Sequence, residues 1–112
     1  MIKLGVDLRG LTPQMAVAHT IACWVYFKCT GNPSACVITS ARDGTHGPNS
    51  LHSRNGQCNA LDLRTNTLTA EQLPHVVKDL TRALGEQFDV VLESDHIHIE
   101  WDPKDPAKDT HA

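Results

Sequence analysis

The segment His96-Ile97-His98-Ile99-Glu100-Trp101 alternates strictly between polar and apolar side chains, and it constrains the fold more than any other stretch of the sequence. A period of two belongs to a β-strand. Ile97, Ile99 and Trp101 are expected to bury on one side, and His96, His98 and Glu100 to share the other. Asn59-Ala60-Leu61-Asp62-Leu63-Arg64 alternates in the same way, with Leu61 and Leu63 toward the core and Ala60, Asp62 and Arg64 away from it. If these two strands are neighbours in one antiparallel sheet, Asp62 converges with His96 and His98 on a single polar face.

The rest of the chain supplies what such a sheet packs against. Thr12-Pro13 opens a helix, Thr12 as its cap and Pro13 at its first position. The run to about Lys28 places Val17, Ile21, Trp24 and Val25 on one stripe, and His19 reads as an ordinary helix histidine. Gly31-Asn32-Pro33 breaks the chain, and Ala35-Cys36-Val37-Ile38-Thr39 reads as a short strand. Residues 40–50 form a polar loop rich in Gly, Asn and Pro that runs into His52. Thr69-Ala70-Glu71-Gln72 is a capping-box pattern. It opens a second helix with Leu73, Val76, Leu80 and Leu84 on its apolar face, Pro74 near its start and Gly85 at its end. Residues 88–93 form a further strand, and Ser94-Asp95 a turn. The expected fold is α+β: a small antiparallel sheet with two main helices packed on it. One domain spans residues 1–103, and 104–112 is a C-terminal tail.

The 112 residues suffice for one domain, with 40% hydrophobic and 21% charged residues, as in ordinary globular chains. A net charge of −3 gives no basic field for a phosphate backbone, which argues against nucleic acid as a partner. No stretch reaches the roughly 20 apolar residues of a membrane helix, and the first residues do not read as a signal peptide. The expected assembly is a monomer. The four cysteines, Cys23, Cys29, Cys36 and Cys58, contain no Cys-x-x-Cys spacing, which argues against a cysteine zinc cluster. Two readings stay open for them: one or two disulfides, Cys29 with Cys36 closing the easiest loop, or reduced thiols packed as small hydrophobes.

Seven histidines are many for this length. Two imidazoles and one carboxylate form a common catalytic zinc set that leaves a fourth position for water. Zinc lowers the pKa of that water to about 7 and polarises a carbonyl. A nearby carboxylate must then accept the water's proton and pass it on, and Glu93, Asp95 and Glu100 all lie close in sequence.

The segment from Ser50-Leu51-His52 through Gly56 to Ala60-Leu61-Asp62 resembles the Ser-x-His-x-x-Gly-x-Ala-x-Asp motif of the D-alanyl-D-alanine carboxypeptidase and L-alanyl-D-glutamate endopeptidase family. These zinc peptidases share their fold with the hedgehog signalling domain. Asp95-His96-Ile97-His98 is similar to the family's second motif, an acidic residue three positions before the last zinc ligand. The likeness covers about residues 11–103, and the text around both motifs resembles small phage- and prophage-encoded members. It implies zinc bound by His52, Asp62 and His98 on the open face of the sheet. It implies Asp95 as general base, with Glu93 as the rival, and His96 as a hydrogen-bond donor to the ligands or the transition state. Glu100 is then a surface carboxylate or one that supports the ligands from behind.

Two departures from the pattern stand out. The spacing from His52 to Asp62 is three residues longer than in the motif, which a bulged loop absorbs at small entropic cost; a displaced His52 would leave His46 as the substitute ligand. The family's Ser-Gly-Tyr-Arg is also one residue short here, as Ser40-Ala41-Arg42. Arg42 is the candidate for binding a substrate carboxylate or carbonyl. The implied function is hydrolysis of a peptidoglycan stem peptide or cross-link. A phage origin would place the protein in a virion, or in host cytoplasm with action on the cell wall. The alternatives are a non-catalytic zinc-binding phage structural or interaction protein on the same scaffold, and an enzyme using Cys58 with a histidine as nucleophile.

Overall fold

The computed structural model describes residues 1–41 and 57–103. Six elements follow in order: α1 (Pro13–Thr30), β1 (Ile38–Ser40), β2 (Ala60–Arg64), α2 (Gln72–Leu84), β3 (Phe88–Leu92) and β4 (His96–Trp101). The four strands form one antiparallel sheet in the order β1-β2-β4-β3. The fold is therefore α+β, two helices with a small antiparallel sheet.

Local chemistry accounts for the boundaries. The Thr12 hydroxyl accepts the Met15 N–H at 3.4 Å at the start of α1, and Pro13 occupies the first position, where no N–H is needed. Gly31 closes the helix in the left-handed conformation, φ 70°. The capping box is reciprocal: Gln72 N–H donates to Thr69 Oγ1 at 3.1 Å, and Thr69 N–H to Gln72 Oε1 at 2.9 Å. It sits one turn ahead of α2, so Pro74 falls in the first turn and costs no hydrogen bond.

Leu61, Leu63, Ile97 and Ile99 are fully buried on the helix-facing side of the sheet, against Val76 and Leu80 of α2 and Met15, Ala18, Ala22 and Tyr26 of α1. The expected stripe on α1 is corrected here. Val17 and Trp24 are each 59% exposed, and the face that packs is Met15, Ala18, Ala22, Val25 and Tyr26. Apolar residues lie all round this helix, so periodicity could not choose a face. The packed face is the one whose alanines allow close approach.

The strand expected from Ala35 begins only at Ile38, although Ala35, Cys36 and Val37 are buried on the way in. The N-terminal residues pair with its start, Ile38 N–H donating to the Met1 carbonyl and Lys3 N–H to the Ile38 carbonyl, both at 2.9 Å. Among the described residues no helix is long and apolar enough to cross a membrane.

Candidate metal centre

The β2–β4 register decides which polar groups meet. Asp62 is the direct partner of His98, Arg64 of His96 and Ala60 of Glu100. Because the two strands are antiparallel and both alternate, Leu61 opposite Ile99 and Leu63 opposite Ile97 fix the core side, and Asp62 and His98 are delivered side by side on the other. That side is more covered than alternation alone implies. Ala60 is fully buried and Asp62 only 8% exposed.

His98 Nδ1 lies 2.9 Å from Asp62 Oδ1, and its Nε2 lies 3.0 Å from Glu100 Oε1. The imidazole is thus held at both nitrogens by carboxylates. Its pKa is raised from the ordinary 6.5, chiefly by the hydrogen bond with Asp62, against the burial that lowers it. His96 approaches the same carboxylate, Nε2 to Asp62 Oδ1 at 3.7 Å. Its Nδ1 is engaged by Asp95 Oδ1 at 2.7 Å. The Asp95 side chain is 86% exposed and meets the buried pair by way of His96. Glu93 does not join them through its side chain in any described contact; its N–H donates to the His96 carbonyl at 2.9 Å and closes the turn.

A cleft of about 620 Å³ opens beside these residues, lined among others by Asp62, His96, Asp95, Thr39, Arg64 and Lys3. Lys3 and Arg64 give it two cations that the sequence reading did not assign to the site. Arg64 could have been inferred from its position two residues after Asp62 on one strand face. Lys3 arrives only because the N-terminus pairs with Ile38, a contact between residues too far apart for local pattern to show.

Asp62, Asp95, His96 and His98 are therefore gathered in one place. His52 and Arg42, and with them His46, lie outside the described residues. The donor chemistry present fits a zinc ligand pair: a carboxylate beside an imidazole whose second nitrogen is taken by another carboxylate, the arrangement that orients metal-binding histidines.

The fold also brings together metal-capable groups that the sequence reading kept apart. His19, Cys23 and Cys36 have ligand atoms all within 4.8 Å of one another. The helical setting of His19 predicts an ordinary histidine, and the cysteine spacing predicts no zinc cluster; the fold brings these residues together instead. The missed signal was His19-x-x-x-Cys23, one helical turn apart. The Cys29–Cys36 disulfide is not formed, both residues being thiols. Cys58 is buried, with its thiol directed to the Ala60 carbonyl at 3.3 Å.

Compared with protein-family models, with curated proteins and with solved structures, the chain matches none of them.

Proposed function

We propose that the protein is a zinc-dependent peptidase that hydrolyses amide bonds in peptidoglycan stem peptides or cross-links, of the D,D-carboxypeptidase or L-alanyl-D-glutamate endopeptidase type. The observation that carries this reading is the Asp62–His98 pair, 2.9 Å apart and backed by Glu100, with Asp62 lining a cleft. The motif resemblance supplies the rest of the ligand set, with His52 completing it.

Zinc bound there would supply a Lewis acid for the scissile carbonyl. The chain's own groups have separate tasks. Glu100 fixes the ring of His98 and directs Nδ1 to the same place as the Asp62 carboxylate. Asp95 takes the proton of the attacking water and returns it to the leaving amine. His96, held at Nδ1 by Asp95, donates from Nε2, when its ring carries both protons, to the oxygen where negative charge develops. Lys3 and Arg64 offer countercharges to the carboxylates of a stem peptide in the cleft, with Arg42 as the further candidate.

A second reading is favoured by one specific feature. Both nitrogens of His98 already have carboxylate partners, so the network satisfies itself and suits a non-catalytic zinc-binding or interaction protein equally well. Cleavage separates the two. Protein in excess zinc is expected to release new amino groups from peptidoglycan fragments, and Asp95→Asn to stop release while zinc stays bound at Asp62 and His98. Wild-type protein that holds zinc at Asp62 and His98 and cleaves no fragment establishes the second reading.

A further inference from the structure

We propose a second metal site, separate from the Asp62–His98 pair, in which His19, Cys23 and Cys36 bind a thiophilic divalent ion such as Zn²⁺ and fasten α1 to the segment entering β1. Residues four apart on a helix share a face, so α1 sets His19 and Cys23 next to each other, with Cys23 Sγ 3.3 Å from His19 Nε2. The third ligand comes from beyond the helix. Gly31 ends α1, and the turn held by Ser34 N–H on Asn32 Oδ1 at 2.9 Å reverses the chain. Cys36, 2% exposed, is thereby laid against the helix.

The three ligand atoms lie within 4.8 Å of one another. A tetrahedral zinc with Zn–S about 2.3 Å and Zn–N about 2.0 Å separates its ligand atoms by roughly 3.5–3.8 Å, so side-chain adjustment of about an ångström closes the site. Two thiolates and a neutral imidazole also balance a divalent charge, which suits a half-buried position. Three protein ligands leave one position for solvent. Burial raises the Cys36 thiol and lowers the His19 imidazole.

This site differs from the other in the element that ligates. Asp62, His96, His98 and His52 offer no sulfur, whereas all four cysteines of the chain are accounted for at positions 23, 29, 36 and 58. The test is a Co²⁺ titration of the full, reduced chain, read as thiolate-to-cobalt charge-transfer absorption. Wild type and Asp62→Asn are expected to show the band equally. Cys23→Ser is expected to abolish it, His19→Gln to weaken it several-fold, and Cys29→Ser to leave it intact. In the Asp62→Asn background zinc should raise the melting temperature, and adding Cys23→Ser should remove that rise. Cys23 is only partly buried, so its variant is expected to fold, and circular dichroism checks this. A folded, reduced wild type with no charge-transfer band overturns the proposal, as does a band undiminished in Cys23→Ser. Neither result bears on the peptidase reading, which rests on oxygen and nitrogen ligands alone.

Discussion

Asp62 and His98 are direct partners across the β2–β4 ladder, and their side chains are joined at 2.9 Å on the face turned away from the helices. The contact is a consequence of register: a slip of one residue would set Asp62 opposite an isoleucine, leave it and His98 on opposite faces of the sheet, and turn one strand's apolar side chains out of the core. Asp62 is also the main reason that the His98 pKa is raised. In Asp62→Asn the carboxylate charge is lost while size is kept, so the His98 pKa of the metal-free protein should fall toward the ordinary imidazole value. An NMR titration of the ring resonances measures this. An unchanged His98 pKa would mean that Glu100 alone sets it.

Glu100 stands behind the same imidazole, its carboxylate 3.0 Å from Nε2. Removing a carboxylate that orients a ligating histidine typically weakens metal binding by about 10–100-fold. Glu100→Gln is expected to lose zinc affinity in that range at the Asp62–His98 site, as measured by competition with a chelator in a Cys23→Ser background. Asp95→Asn, whose carboxylate reaches the pair only through His96, should hold zinc as wild type does. Equal losses in the two variants would refute the separation of roles.

Much of this geometry was legible in the sequence, and the parts that were not have physical reasons. Strict alternation in residues 96–101 and 60–64 fixed both strands and the sharing of a face by Asp62, His96 and His98. The reciprocal bonds of Thr69 and Gln72 and the left-handed Gly31 made helix ends readable. The packed face of α1 was not readable, because Val17, Ile21, Trp24 and Phe27 are apolar on sides that tertiary contacts leave partly open. The His19–Cys23–Cys36 cluster was obscured because one ligand lies across a turn from the other two. Lys3 reaches the cleft through a backbone pairing that no local pattern encodes.

The pH dependence of stability follows from the two perturbed histidines, and they oppose each other. His98 is raised in the folded state, so its contribution is fully present below the unfolded imidazole value of about 6.5 and is lost as pH climbs through its elevated folded value. His19 is lowered, chiefly by burial, so it favours the folded state more as pH rises through the region below about 6.5. The stability difference between wild type and Asp62→Asn cancels the His19 contribution. With chelator present, that difference should be largest in acid and shrink as pH rises. With zinc present it should grow with pH instead, because the ion needs a neutral imidazole. Melting curves across this range, with and without chelator, check both slopes.

Tyr26 provides a mechanical counterpart to the electrostatic predictions. It is fully buried on α1, and its hydroxyl donates to the Arg64 carbonyl at 2.7 Å, which ties the helix to the end of the strand that carries Asp62. Burial raises its pKa far enough that it stays a donor throughout the accessible pH range. Tyr26→Phe keeps the ring packing and removes one hydrogen bond, so it should cost roughly 0.5–1.5 kcal/mol. Leu80→Ala removes fully buried aliphatic volume from α2 and should cost roughly 2–5 kcal/mol. Urea unfolding of both variants tests the ordering. If Tyr26→Phe proves as costly as Leu80→Ala, the Arg64 carbonyl is left without any replacement partner, and the hydroxyl is what keeps the end of β2 against α1.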